Sequence, residues 1–282
     1  MQTIYRTKAI RLDSGERFPL LVECDTELPV LDVVDFSLAY HRTKSINSSK
    51  SRVGAIGLFL EWAEACLIDI DERFGSGDLF SQAEIESLAA ALGQSKRKKV
   101  IVGDQILAGN VLGDTQANRV DWVTEYIRWR ATGVAQAMKI DDPRVPAINQ
   151  RFLQIEKQLK ALKRKGAGKV RLGLTEEQQV RLFEIVRPDS AENPFYAETR
   201  YRNFMLFLLF YELGIRRAES LVLKANHVNL HQNTRITIEP NPGDPSDPRK
   251  DQPLVKTAGR TLPISSLLAQ TIHTYITKHR SQ

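Results

Sequence analysis

Cysteine is nearly missing from this chain: Cys24 and Cys66 are the only two among 282 residues. Two thiols so far apart cannot build a disulfide framework or a four-ligand zinc site, and their scarcity fits a reducing compartment, so a cytoplasmic protein with structural thiols is expected. Long apolar runs are also scarce. The longest, Phe204–Tyr211, falls far short of the roughly 20 residues that span a bilayer. Polar and charged residues are spread through Met1–Asp13, which leaves no apolar segment of a signal peptide and no expected membrane role. Nor is there a repeat of solenoid length. Charge is plentiful in both signs. Forty Lys+Arg against 34 Asp+Glu give a formal +6 and a pI near 9.3, which tilts the partner list toward polyanions without settling it. With 42% hydrophobic and 26% charged residues, the chain reads as an ordinary globular protein long enough for two domains.

The expected fold class is mainly α with a small antiparallel β-hairpin or sheet. Residues 1–43 read as an irregular arm, with extended runs near Phe18–Val22 and a turn or helix start after Pro29. Val53, Ile56, Leu60, Ala63 and Leu67 recur at three- and four-residue steps and predict a helix from about Asn47 to Leu67. Ser81 and Glu84 form a capping box that opens a helix to about Leu92, because each side chain can bond the other's backbone amide. A further helix begins near Asp114, with Val120, Val123 and Ile127 on one stripe beside Trp122 and Trp129, and Gly133 suggests its end. Another runs from about Pro146 to Lys165, which makes 44–165 a compact helical domain.

Basic residues then gather without an acidic interruption: Lys160, Lys163, Arg164, Lys165, Lys169 and Arg171, with Gly166 and Gly168 among them. A solvated linker over 166–173 and a set of phosphate contacts are both compatible with this run. The same holds for Lys96, Arg97, Lys98 and Lys99, which fall at the end of the helix opened by Ser81, where cations also favour the helix dipole. A second capping box, Thr175 with Gln178, starts the domain 174–282 and a helix ended by Pro188. Arg200–Leu213 is so apolar from Phe204 onward that it should run through that domain's core and stop at Gly214. A short helix from Glu219 to about Leu223 and a strand at Ile236–Glu239 follow. The proline-rich stretch Pro240–Pro248 must be a loop, and Gln252–Lys256 with Thr261–Ile264 read as two strands around a basic turn, ahead of a last helix from Ser265 to about His279.

The most informative segment is Gly214-Ile215-Arg216-Arg217-Ala218-Glu219, followed later by Val255-Lys256-Thr257-Ala258-Gly259-Arg260. An arginine where a buried helix ends, steadied by a glutamate three residues on, can offer its planar fork to a pair of phosphate oxygens. Taken alone, the same Arg-Glu spacing is common in surface ion pairs.

In order and in motif, these residues resemble the first half of the catalytic domain of the tyrosine recombinases, the phage integrase family. There a buried helix, Gly-Leu-Arg-x-x-Glu and a hairpin lysine follow an all-helical core-binding domain, and the resemblance covers about Lys44–Gln282. It implies that Arg216 binds the scissile phosphate, that Glu219 supports it and that Lys256 protonates the leaving 5′ oxygen. It also implies DNA recombination or integration through a 3′-phosphotyrosine bond with no metal or other cofactor, with double-stranded DNA as partner, clamped between two domains, and self-association on that DNA. Lys96–Lys99, Lys160, Lys163–Lys165, Lys169, Arg171 and Arg260 are the candidate DNA contacts.

The chain departs from the family pattern in two respects. The proline-rich loop lengthens the interval between Arg216 and Lys256, and residues 1–282 hold no His-x-x-Arg. Tyr275, between Ile272 and Ile276 in the last predicted helix, reads as a packing residue and not as the nucleophile. The expectation is a DNA-binding protein unable to cleave DNA alone. The alternatives are a non-catalytic or regulatory relative, or a truncated gene product.

Overall fold

The computed structural model describes residues 4–280 apart from 43, 103–104, 140, 167, 169–171, 232 and 242–243, and describes only the backbone of the remaining residues within 96–108. The described residues are mainly helical, with three small antiparallel sheets. The chain divides into two compact units, one of Met1–Leu12 and Arg17–Lys169, the other of Asp13–Glu16 and Val170–Gln282. No helix among the described residues is long and apolar enough to cross a membrane.

The first unit opens with a hairpin. Strands β1 (Tyr5–Arg11) and β2 (Arg17–Glu23) pair antiparallel from Tyr5 opposite Glu23 to Arg11 opposite Arg17. Helices α1 (Leu31–Tyr40) and α2 (Ile46–Ala65) follow, and Phe18, Leu21, Val22, Val33 and Phe36 are buried. Of the irregular arm expected over 1–43, the described residues 4–42 are therefore built structure. A glycine on α2 shows why the hairpin can lie close: a Cβ at Gly57 would stand 2.9 Å from a Leu21 methyl. That fit depends on residues distant in sequence, which the weak alternation of β1 does not announce.

The α2 helix ends two residues earlier than expected. Leu67 adopts the left-handed conformation, φ 56°, so that its amide donates to the Glu64 carbonyl at 3.0 Å and the Ile68 amide to the Ala63 carbonyl at 2.9 Å. This is the helix-ending pattern usually given to glycine. Helix α3 (Ile70–Ser76) is capped by Asp69 and α4 (Gln82–Leu92) by the Ser81–Glu84 box, both of whose bonds form. The chain then enters strand β3 (Gln94–Val102), which pairs with β4 (Gln105–Asn110). Lys96–Lys99 thus lie in a strand and not at a helix end, because the helix stops at Gly93 and a β-branched run follows. Their register skips from Ser95 opposite Gly109 to Lys99 opposite Ala108, which leaves Lys96, Arg97 and Lys98 bulged from the ladder.

Helices α5 (Gly113–Ala137) and α6 (Arg144–Ala161) complete the unit. Gly133 lies inside α5, not at its end; an exposed glycine there costs helix propensity without stopping the helix. Phe36, Phe59, Trp62, Phe74, Phe80 and Tyr126 form the aromatic part of the core. Beyond α6 the chain doubles back. The buried Gln116 side chain donates to the carbonyls of Ala89 and Leu162 and accepts from the Arg164 amide at 2.9 Å, and a Cβ on Gly113 would fall 2.3 Å from the Lys165 carbonyl oxygen.

The second unit begins with α7 (Glu176–Val186), capped by Thr175 and Gln178 as expected, and α8 (Ala197–Leu213). The α8 helix was expected to run through the core. It buries only Met205, Leu208 and Leu209, whereas Phe204, Leu206, Phe207 and Phe210 are half-buried and Tyr211 is exposed. After α9 (Arg217–Val222), strands β5 (Val228–Asn229), β6 (Arg235–Ile238) and β7 (Arg260–Pro263) form a sheet in that order. The hairpin is therefore β6 with β7, Ile236 opposite Leu262, and Gln252–Lys256 is loop. Pro253 has no amide to donate to a ladder. The loop is instead stitched by side chains: Gln252 donates to the Asn241 carbonyl at 3.0 Å, and Asn241 donates to the Pro253 carbonyl at 3.4 Å. Helix α10 (Ser266–Thr274) continues through a π-helical turn to His279, and Ile236, Ile238, Ile264, Leu268 and Ile272 form its core with α8.

Candidate nucleic-acid interface

The apolar side chains of α8 bring the chain to Gly214, whose left-handed φ of 56° lets its amide close on the Phe210 carbonyl at 3.1 Å. Ile215 then plugs into the core, and the next residue, Arg216, is extended and faces outward. Its guanidinium side chain is 63% exposed. Glu219, one turn into α9, folds back beneath it and is 0% exposed.

A buried carboxylate must find donors or lose its charge. Glu219 finds four. The Arg216 amide donates to Oε2 at 2.8 Å, Thr257 Oγ1 to Oε1 at 2.8 Å, and Arg260 reaches across with Nη1 to Oε1 at 3.0 Å and Nη2 to Oε2 at 2.9 Å. Arg260 Nη1 also donates to Thr257 Oγ1 at 2.8 Å. Hydrogen bonds from Arg260 above all, then from the Arg216 amide and Thr257, outweigh burial and hold the Glu219 carboxyl down to about 2. In return, Glu219 raises the pKa of the Arg260 guanidinium. The Arg216 side chain remains 3.8 Å from Oε1, outside hydrogen-bond range.

This cluster joins the two segments singled out in the sequence. Val255 packs on the core and Thr257 joins Glu219, whereas Lys256 between them is exposed, and its side chain has no ion pair or hydrogen bond among the described residues. Arg217 is likewise exposed. A cleft of about 540 Å³ in the same unit is lined by Lys224, His227, Glu239, Asp244 and Arg249, among others; Arg216 and Lys256 are not part of it. Tyr275 is half-buried against the core of this unit, and Tyr201 stacks on His279 with ring centroids 4.3 Å apart.

The other candidate contacts fare differently. Arg260, expected to face DNA, has its fork occupied by Glu219. Lys160 pairs with Glu156 at 2.7 Å and Lys163 with Asp121 at 2.8 Å, so the basic run is partly neutralised by residues from α5 and α6 that its own sequence does not contain. Arg164 and Lys165 are both exposed, and the Arg164 guanidinium lies against Gly93. The side chains of Lys96–Lys99 and all of Lys169 and Arg171 lie outside the described residues. Cys66 is exposed and Cys24 half-buried, so neither is a core thiol. Among the described residues no three His, Cys, Asp or Glu side chains gather as a metal ion would need. Thr257 went unnoticed in the sequence, because a threonine beside a lysine carries no signal until the carboxylate it serves is known to be buried. The chain matches no protein-family model, no curated protein and no solved structure.

Proposed function

We propose that this protein binds duplex DNA in the manner of a tyrosine recombinase, with the first unit as core-binding domain and the second as the part of the catalytic domain that grips phosphate. One observation carries the reading. The buried Glu219 carboxylate is fully used by Arg260, Thr257 and the Arg216 amide, so the exposed Arg216 guanidinium stands as a surplus cation on a fixed backbone. Exposed Lys256 and Arg217, on the segments that meet there, add to the positive field. A planar guanidinium so held suits a phosphate. Each phosphate contact contributes about 0.9 to the slope of log affinity against log salt for duplex DNA, so Arg216→Ala and Lys256→Ala should each lower that slope by about this amount in a titration at rising salt. Unchanged slopes in both variants would end the proposal.

The half-buried setting of Tyr275 and the lack of a His-x-x-Arg in residues 1–282 favour, within this reading, a chain that binds without cutting. Phosphate activation and proton donation need a nucleophile to begin the displacement. Incubation with a nicked suicide duplex should leave no covalent protein–DNA adduct on a denaturing gel. An adduct lost in Tyr275→Phe would make Tyr275 the nucleophile.

A further inference from the structure

The acceptor capacity of Glu219 assigns a role to Arg260 that its exposure alone would not. A carboxylate offers about four lone-pair sites, and the Arg216 amide, Thr257 and the two Arg260 nitrogens fill them. Two of the four come from Arg260. The Arg216 guanidinium waits 3.8 Å from Oε1, less than 1 Å beyond an ordinary charged hydrogen bond and on a flexible stem. If Arg260 is removed, a fully buried carboxylate is left with vacant sites, and the nearest cation able to fill them is Arg216 itself. The fork would then turn inward and bond the carboxylate in place of a phosphate.

We propose that Arg260 is a positioning residue: by occupying both oxygens of Glu219 it keeps this carboxylate from capturing Arg216, and so keeps the Arg216 fork available to the phosphates of a polyanion. The proposal rests on the reading of Arg216 as a phosphate-binding arm. Thr257 assists by holding Oε1 and by accepting from Arg260, which fixes the plane of the guanidinium against the carboxylate. Arg260 touches no phosphate in this scheme.

The experiment is the salt dependence of binding of the full chain to a random-sequence duplex, for Arg216→Ala, Arg260→Gln, Glu219→Gln/Arg260→Gln and Arg216→Ala/Arg260→Gln, with circular dichroism as the check on folding. Arg216→Ala should lower the slope by about 0.9. Arg260→Gln should lower it equally, and the two together should lower it no further. Glu219→Gln/Arg260→Gln should restore the wild-type slope, since no charged carboxylate remains to capture Arg216. A direct phosphate contact by Arg260 would instead leave that double variant low by about 0.9 and would make the losses of Arg216→Ala and Arg260→Gln add, which would overturn the proposal. A loss in Arg216→Ala with none in Arg260→Gln would overturn the positioning role alone, whereas no loss in Arg216→Ala would overturn the phosphate reading beneath it. Should Arg260→Gln fail to fold, the Glu219→Gln/Arg260→Gln variant, whose pair is neutral, decides: the wild-type slope supports the proposal and a reduced slope defeats it.

Discussion

Arg130 in the first unit and Glu219 in the second are charge hubs of opposite build. Arg130, 14% exposed, lies over the Phe74 ring and bonds Asp32 and Asp71, two exposed carboxylates on different helices. Glu219, fully buried, sits among two arginines that reach solvent. In each case the buried member holds elements together and the exposed members carry the surplus. That surplus is negative around Arg130 and positive around Glu219, which under the proposed reading sets the second hub, and not the first, to meet a phosphate backbone. The lesson is that a count of basic residues misplaces a polyanion site; what matters is which cations remain after the buried partner has been satisfied.

The strongest way to break the comparison is to remove one partner from each hub. Arg260→Ala takes two of four donors from a buried carboxylate, which an inward-turned Arg216 replaces only in part, and should destabilise the second unit more than any change at Arg130 destabilises the first. Arg130→Met leaves two aspartates that rehydrate at once and should cost the first unit only about 1–2 kcal/mol, through lost packing and charged hydrogen bonds. Urea unfolding followed by tryptophan fluorescence reports the first unit, which holds Trp62, Trp122 and Trp129; hydrogen exchange of β6 and β7 amides reports the second. Equal losses would dissolve the distinction.

Acid should separate the units in a different way. His41 is buried with neither ring nitrogen hydrogen-bonded among the described residues, and burial first, then the positive Arg52 and Lys44, lower it from 6.5 to about 4. Its neutral form is the folded one, so its contribution is complete above pH 6.5 and declines as pH falls toward 4, by about 1.4 kcal/mol per pH unit. Glu219, lowered from 4.5 to about 2, contributes fully above pH 4.5 and loses its share only below that. Between pH 6.5 and 4.5 the first unit alone should weaken through these two groups, and His41→Met should flatten the fluorescence-detected urea midpoint against pH. A midpoint as steep in His41→Met as in the wild type would remove His41 from the account.

The smallest effects test backbone conformation. Leu67, left-handed and 94% exposed, has no packing to lose, so Leu67→Gly should stabilise the first unit by about 1 kcal/mol. Gly133→Ala adds a methyl that meets nothing within 4 Å inside α5 and should add about 0.8 kcal/mol. Thermal melts resolve both, and a lower melting temperature in either variant would contradict the geometry assigned to that residue.

The features read correctly from sequence are local ones. The boxes at Ser81–Glu84 and Thr175–Gln178 each close within four residues, and the stop at Gly214 needs only a residue without a Cβ. Sequence failed where the partner is remote. The β1–β2 hairpin depends on glycines of α2, β7 pairs with β6 across a proline-rich excursion, and the reach of Arg260 to Glu219 spans 41 positions. Arg216 and Glu219 were legible as a pair. That Glu219 would be buried and claimed by Arg260 was not, because burial is settled by packing and not by spacing.

The return of the chain onto α5 also decides where a gene fragment for the first unit can end. The α6 helix stops at Ala161, and a designer cutting there would remove the Leu162 carbonyl and the Arg164 amide that the enclosed Gln116 side chain requires. A fragment extended through Gly166 keeps both groups and the close seat of Lys165 on Gly113. The expression boundary therefore lies about one helical turn beyond the end of the helix.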